Sequence, residues 1–184
     1  MRVLGISGSL RRDSHNSALL RAAAERLPAG AELVHLEGLS EIPPYDEDVE
    51  VQAVPETVRE LREAIRNADA VLIATPEYNH SIPGQLKNAL DWASRPAGKS
   101  ALNGKPAATI GASTGMFGAV WAQAELRKVL SAMGGRVIES ELPVAHAADL
   151  RHGDRLELPP EQVEQLDEIL SELVAAAERE LVAA

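Results

Sequence analysis

The 184-residue chain contains no cysteine, so disulfides, thiolate metal sites, iron–sulfur clusters and cysteine nucleophiles are excluded. Aromatic residues are scarce. Tyr45, Tyr78, Trp92, Phe117 and Trp121 are the whole set, which leaves Leu, Val, Ile and Ala to build the core. The longest apolar stretches are a few residues, far short of the ~20 needed to span a bilayer. Positive charge is in deficit, with 18 Lys plus Arg against 28 Asp plus Glu and a net charge of −10. So acidic a surface repels nucleic-acid phosphates and anionic membranes, and neither is an expected partner. Met1-Arg2-Val3-Leu4-Gly5-Ile6 reads straight into structure rather than as a signal peptide, so a cytoplasmic location is expected.

What is present is the composition of an ordinary globule, 45% apolar and 25% charged. On a prior of about 150 residues per domain, residues 1–184 are expected to form a single domain. Strand and helix signatures alternate along it. Short apolar runs at 3–6, 32–36, 70–74 and 106–112, and another beginning at 136, read as strands. The run at 70–74 is apolar at every position, as a central parallel strand covered on both faces requires.

Helical periodicity follows each strand. Asn16 reads as the cap of a helix carrying Leu19, Leu20, Ala23, Ala24 and Leu27 and ended by Pro28. Val58, Leu61 and Ile65 mark a second helix, and Leu86, Leu90 and Ala93 a third. A fourth carries Leu126, Val129, Leu130 and Met133, and a long terminal helix starts at Pro159-Pro160. Residues 37–55, acidic and Pro-containing, fit neither period and read as a long loop. The pattern predicts an α/β fold with a parallel sheet and right-handed crossovers. Ligands of such sheets bind beyond the carboxyl ends of the strands, where strand order reverses.

Three loops at such ends are unusual in sequence. The first, Gly8-Ser9-Leu10-Arg11-Arg12-Asp13-Ser14-His15-Asn16-Ser17, has neither the Gly-Lys-Ser/Thr of a Walker loop nor the glycine triplet of a dinucleotide fingerprint. Hydroxyls from Ser9, Ser14 and Ser17, the Arg11 guanidinium and the N–H groups of the following helix suit a terminal phosphate monoester. A plain hydrophilic connection is the alternative. The second, running from Thr75 through Pro76-Glu77-Tyr78-Asn79-His80 to Gly84, is stiffened by two prolines. Tyr78 offers a ring face and Asn79 a donor–acceptor pair, which suits a flat heterocycle; a rigid turn with Tyr78 packed on a neighbour explains it equally well. The third, Gly111-Ala112-Ser113-Thr114-Gly115-Met116-Phe117-Gly118, carries the Gly-x-Ser-x-Gly of an α/β-hydrolase nucleophile elbow, with Asp149 and His152 following in triad order. The chain is short for that fold, and the first two loops have no role in acyl transfer. His146, Asp149, His152 and Asp154 lack the i, i+4 spacing of a helical metal-ligand pair and read as the decoration of a solvated loop, and no metal is expected.

Taken together, the motifs resemble those of the NAD(P)H-dependent FMN reductase family, the flavodoxin-like group that includes quinone, chromate and azo reductases. The resemblance rests on Gly8-Ser9-Leu10-Arg11 with Ser14-x-Asn16-x-x-Leu19, on Ala68-Asp69-Ala70 leading into Thr75-Pro76-Glu77-Tyr78-Asn79, on Pro83-Gly84-x-Leu86-Lys87-Asn88-Ala89-Leu90-Asp91-Trp92 and on residues 115–130. It extends from residue 2 to about residue 140.

The resemblance implies a flavodoxin-like three-layer α/β/α sandwich with strand order 2-1-3-4-5 and a tightly bound FMN. Ser9, Arg11, Ser14 and Asn16, with Ser17 beside them, would hold the phosphate. Pro76, Glu77, Tyr78 and Asn79 would line the isoalloxazine, and Ser113, Thr114 and Gly115 would flank it or its ribityl chain. Hydride from NAD(P)H would pass through FMN N5 to a quinone-like, azo, metal-oxyanion or free flavin acceptor in a ping-pong cycle, with no side chain acting as acid or base. A homodimer or homotetramer whose second chain helps enclose the flavin is implied as well. Trp121 stands where relatives often carry Arg. A serine hydrolase built on Ser113 and a non-enzymatic electron carrier on the same fold are the competing readings.

Overall fold

The apolar runs form β1 (Arg2–Ser7), β2 (Glu32–His35), β3 (Ala70–Thr75), β4 (Pro106–Ala112) and β5 (Arg136–Val144) in a computed structural model that describes residues 1–183, with side chains to residue 180. All four pairings are parallel, and the sheet order is β2-β1-β3-β4-β5. Every residue of β3 and β4 is buried, as expected of central strands, whereas β2 at the edge is only half-buried.

Side chains alternate between the faces of the sheet. Leu4, Ile6, Val71 and Ile73 meet Val58, Leu61 and Ile65 of α3 (Glu56–Asn67), Leu86 and Leu90 of α4 (Gly84–Ala93) and Leu126 and Leu130 of α5 (Val120–Ala132). Val3, Leu72, Ile110 and Leu142 meet Leu19 and Leu20 of α1 (His15–Ala24) and Leu166, Ile169, Leu170 and Leu173 of α6 (Pro160–Ala183). The architecture is the expected three-layer sandwich. The chain leaves β1 in one direction to reach β2 and returns past it to β3, which sets the switch point at the carboxyl ends of β1 and β3.

Four local expectations are corrected. Ser14, not Asn16, caps α1: its hydroxyl accepts from the Asn16 and Ser17 N–H groups. Asn16 is buried inside the first turn. The helix stops at Ala24 rather than at Pro28, and Leu27 packs on the core from the following turn.

Residues 37–55 are not one loop. They hold a 3-10 turn at Leu39–Glu41 and a helix, α2 (Glu47–Gln52), capped by Asp46. No residue of α2 is buried, so no apolar period could announce it. Polar side chains pin the segment instead. Gln85 donates to the Leu39 and Ile42 carbonyls, Trp92 Nε1 donates to the Pro43 carbonyl, and the buried Arg62 bonds the half-buried Glu50 at 3.0 Å. After β5, the stretch read as a solvated loop contains a hairpin of β6 (Arg151–His152) and β7 (Arg155–Leu156). Leu156 anchors it in the core on the α1 side.

Candidate functional site

The loops after β1, β3 and β4 converge at the carboxyl edge. Gly8 N–H donates to the Ala74 carbonyl at 2.8 Å, and a Cβ there would stand 2.9 Å from Leu86 and 3.3 Å from Pro76. A methyl there would press on the end of Leu86 and on Pro76, so glycine favours this close approach of the first two loops. Asn16 joins the first loop to the third. Its Nδ2 donates to the Ala112 carbonyl and its Oδ1 accepts the Ala112 N–H, both at 2.9 Å.

Around this junction lies a cavity of about 110 Å³ lined by Ser9, Arg11, Ser14, His15, Asn16, Pro76, Glu77, Tyr78, Ala112, Ser113 and Thr114. The sequence-predicted residues from all three loops therefore meet. Three stand apart from the cavity wall. Ser17 donates its hydroxyl to Ser7 Oγ at 2.9 Å and faces the neighbouring cleft, which also contains Arg12 and Arg21. Asn79 sits at the tip of the second loop, and the Gly115 carbonyl accepts the His146 N–H at 3.1 Å.

The second loop is a tight hairpin. Tyr78 and Ser81 exchange backbone hydrogen bonds of 3.0 and 3.1 Å, while Asn79 and His80 sit at φ 54° and 61°. This is the left-handed pair of a type I′ turn, a region that Asn and His enter more readily than most side chains. Glu77 does more than line the cavity. Its carboxylate accepts the Trp121 and Ala122 N–H groups at 3.1 and 3.3 Å, placing a negative charge on the amino end of α5. The sequence held the acid but could not show which helix it would cap.

Tyr78, Met116, Phe117 and Trp121 form an exposed rim beside the cavity, with the Trp121 ring edge-on to His80 at 4.6 Å and to Phe117 at 4.7 Å. Trp92, counted with them in the sequence, is fully buried against Tyr45 instead.

Ser113 is not built as a nucleophile. Its Oγ donates to the Gly115 carbonyl at 3.4 Å, while its backbone bonds Val144 and Ala147. The non-glycine residues with positive φ are Asn79, His80, Ala119 and His146, so the strained elbow serine is missing. His152 lies on β6, largely exposed and 3.7 Å from Glu157. Among the described residues no cluster of three His, Asp or Glu could hold a metal, and no helix is long and apolar enough to cross a membrane.

Two residues at the site went unnoticed in the sequence. His15 Nδ1 is buried without a hydrogen-bond partner. Burial, Arg151 and Arg11 hold its imidazole below the usual range, in that order of importance. Arg151, on β6, donates from Nη1 to the Asp13 carbonyl at 2.9 Å. His15 occupied the unassigned place between Ser14 and Asn16, and nothing near Arg151 in sequence announced that β6 folds back to the first loop.

Residues 1–149 match the profile of a family described as NADPH-dependent FMN reductase. The chain belongs to that family. This reductase is 53% identical over 130 residues to the NAD(P)H-dependent FMN reductase PA1204 of Pseudomonas aeruginosa, covering 71% of this chain and 69% of that protein. It is 43% identical over 131 residues to a quinone reductase of Escherichia coli K12, covering 71% of this chain and 69% of that one. Among solved structures it resembles FerB, a flavoenzyme NAD(P)H:(acceptor) oxidoreductase from Paracoccus denitrificans, with a TM-score of 0.83, 36% identity and 97% of each chain covered. The flavodoxin-like fold is shared more widely, as with a WrbA-like protein of Agrobacterium tumefaciens at 15% identity and a TM-score of 0.58. The reductase is thus an FMN- and NAD(P)H-dependent oxidoreductase.

Proposed function

We propose that this reductase holds FMN by its phosphate in the cradle behind β1 and reduces planar, quinone-type acceptors with NAD(P)H. The observation that carries the reading is the convergence of three loops on a small polar cavity at the switch point, with hydroxyl, guanidinium and imidazole donors at the amino end of a helix. That donor set fits a phosphate monoester. Ser9, Arg11 and Ser14 bind its oxygens, with Ser17 behind them. Asn16 serves by tying α1 to β4 rather than by touching the phosphate with its amide, whose two ends are engaged. Pro76, Glu77, Tyr78 and Asn79 border the ring, and Ser113, Thr114 and Gly115 flank the ring or the ribityl chain.

When bound, FMN supplies two-electron transfer at N5, from NAD(P)H to the acceptor in alternating half-reactions. The chain's own residues bind, orient and exclude water. The rim of Tyr78, Met116, Phe117 and Trp121 is aromatic and uncharged, a surface on which a flat apolar ring stacks. A metal oxyanion finds no Lys or Arg in that rim, which makes quinones the better substrate class. Relatives named quinone reductase support the same choice. The rim is also a surface a second copy would cover, in a homodimer or homotetramer that encloses the acceptor. Residues 1–184 act as one FMN-binding domain, in the cytoplasm where reduced nicotinamide is supplied.

Arg11→Ala tests the cradle. Charged hydrogen bonds of this kind contribute about 1.5–3 kcal/mol, so FMN affinity is expected to fall roughly 10- to 150-fold with the fold retained. Unchanged affinity overturns the phosphate assignment. Steady NADPH consumption with a quinone and no partner protein separates an enzyme from an electron carrier.

A further inference from the structure

We propose that His15 and Arg151 complete the phosphate cradle, so that FMN retention is coupled to proton uptake by His15. The proposal rests on the reading that this cavity holds the FMN phosphate.

His15 is the first residue of α1 and lines the same cavity as Ser9, Arg11 and Ser14. Its Nδ1 is buried and unpartnered, a state native proteins seldom leave to a ring nitrogen unless a ligand or water completes it. The groups around it are cationic: Arg11 on its own loop and Arg151 reaching across from β6. Arg151 is fixed there by bonds from Nη1 to the Asp13 carbonyl and from Nε to the Gly153 carbonyl. Asp13 meets Arg151 through its backbone carbonyl, while Glu77, the acid of the cavity wall, has its charge turned to the amino end of α5. A chain of net charge −10 has thus placed the Arg11 guanidinium and the His15 imidazole in the wall of one small cavity, with the Arg151 guanidinium tied to the Asp13 carbonyl beside it. A phosphate dianion would balance that concentration of positive charge.

Burial and both guanidiniums oppose the charging of His15. A phosphate dianion set among the same groups reverses the local field and favours imidazolium. Binding then takes up a proton, so FMN binds more tightly as pH falls through the pKa of His15 in the complex, and the gain is lost as pH rises through that pKa. Below about pH 6 the phosphate itself takes a proton and the trend ends.

The experiment titrates flavin-free protein with FMN, by quenching of flavin fluorescence, at several values between about pH 6.5 and 8.5; riboflavin, which lacks the phosphate, is the control. The expected result is an FMN Kd that weakens several-fold, up to about tenfold per pH unit, against a flat riboflavin Kd. In His15→Gln, which keeps a neutral donor, the FMN profile is expected to flatten. Arg151→Gln is expected to weaken FMN about tenfold at every pH and riboflavin little. The His15 ring resonances, followed by NMR, should titrate at higher pH with FMN than without. An unchanged pH slope in His15→Gln, a riboflavin slope equal to that of FMN, or equal losses for the two flavins in Arg151→Gln each overturns the proposal. No FMN binding at any pH would overturn the parent reading, and this one with it.

Discussion

Asn16→Ala removes both hydrogen bonds that tie α1 to the end of β4. Ala112 is fully buried, so its N–H and carbonyl are left without water as a substitute. Each stranded group costs about 1–3 kcal/mol, together ~2–6 kcal/mol. For a chain of this length about 1 kcal/mol moves Tm by ~2–4 °C, so a fall of roughly 4–24 °C is expected in calorimetry of the flavin-free protein. Asn16→Asp sharpens the test, because the carboxylate still accepts the Ala112 N–H but sets a second oxygen against the Ala112 carbonyl. Only the protonated acid can donate there. Burial and that carbonyl raise the folded-state pKa above the unfolded one. The Asp variant's stability is therefore fullest in acid and is lost as pH rises through the raised value. Its Tm deficit relative to wild type should shrink between about pH 7.5 and 4.5. A Tm within about 2 °C of wild type for Asn16→Ala, or a deficit in Asn16→Asp that does not change with pH, refutes the tether.

Gly118→Ala should be among the most damaging single-methyl additions. At φ 57° the new Cβ would stand 2.5 Å from the Pro143 carbonyl carbon, so roughly 2–5 kcal/mol of overpacking and strain is expected in urea unfolding. Trp121→Arg places a cation in the rim; the KM for a neutral quinone should rise and that for chromate should fall, in steady-state assays with NADPH, and no movement in either would remove Trp121 from acceptor choice. Ester hydrolysis by wild type and Ser113→Ala should be equally negligible, since no imidazole bonds the Ser113 hydroxyl; a rate that depends on Ser113 would revive the hydrolase.

The strands were legible because their signal is local. A run such as 70–74 is apolar at every position, and burial on both faces follows directly. The three loops that converge at the carboxyl edge stood out in the sequence because each gathers hydroxyl, charged, ring or glycine residues within a few positions of a strand end. By contrast α2 buries nothing and owes its place to Asp46, Glu50 and bonds from α4, so its sequence carried no period to read. Asn16 illustrates the limit well. Its type and position mark it as a cap, yet Ser14 caps the helix two residues earlier through the Asn16 and Ser17 N–H groups, and β4 offers a better partner 96 residues away.

Sequence alone determined the strand runs, most helix faces, the flavin-type loops and the family, because periodicity and short motifs are properties of neighbouring residues. Tertiary structure alone decided that Glu77 caps α5, that Asn16 clasps Ala112, that Trp121 joins Phe117 and His80 in an exposed rim, and that Arg151 returns to the first loop. Apart from Phe117 and Trp121, which are four positions apart, the partners lie far apart along the chain. The partner of a polar side chain is set by which donors and acceptors the packed layers bring within about 3 Å, and a linear order of residues does not contain that distance.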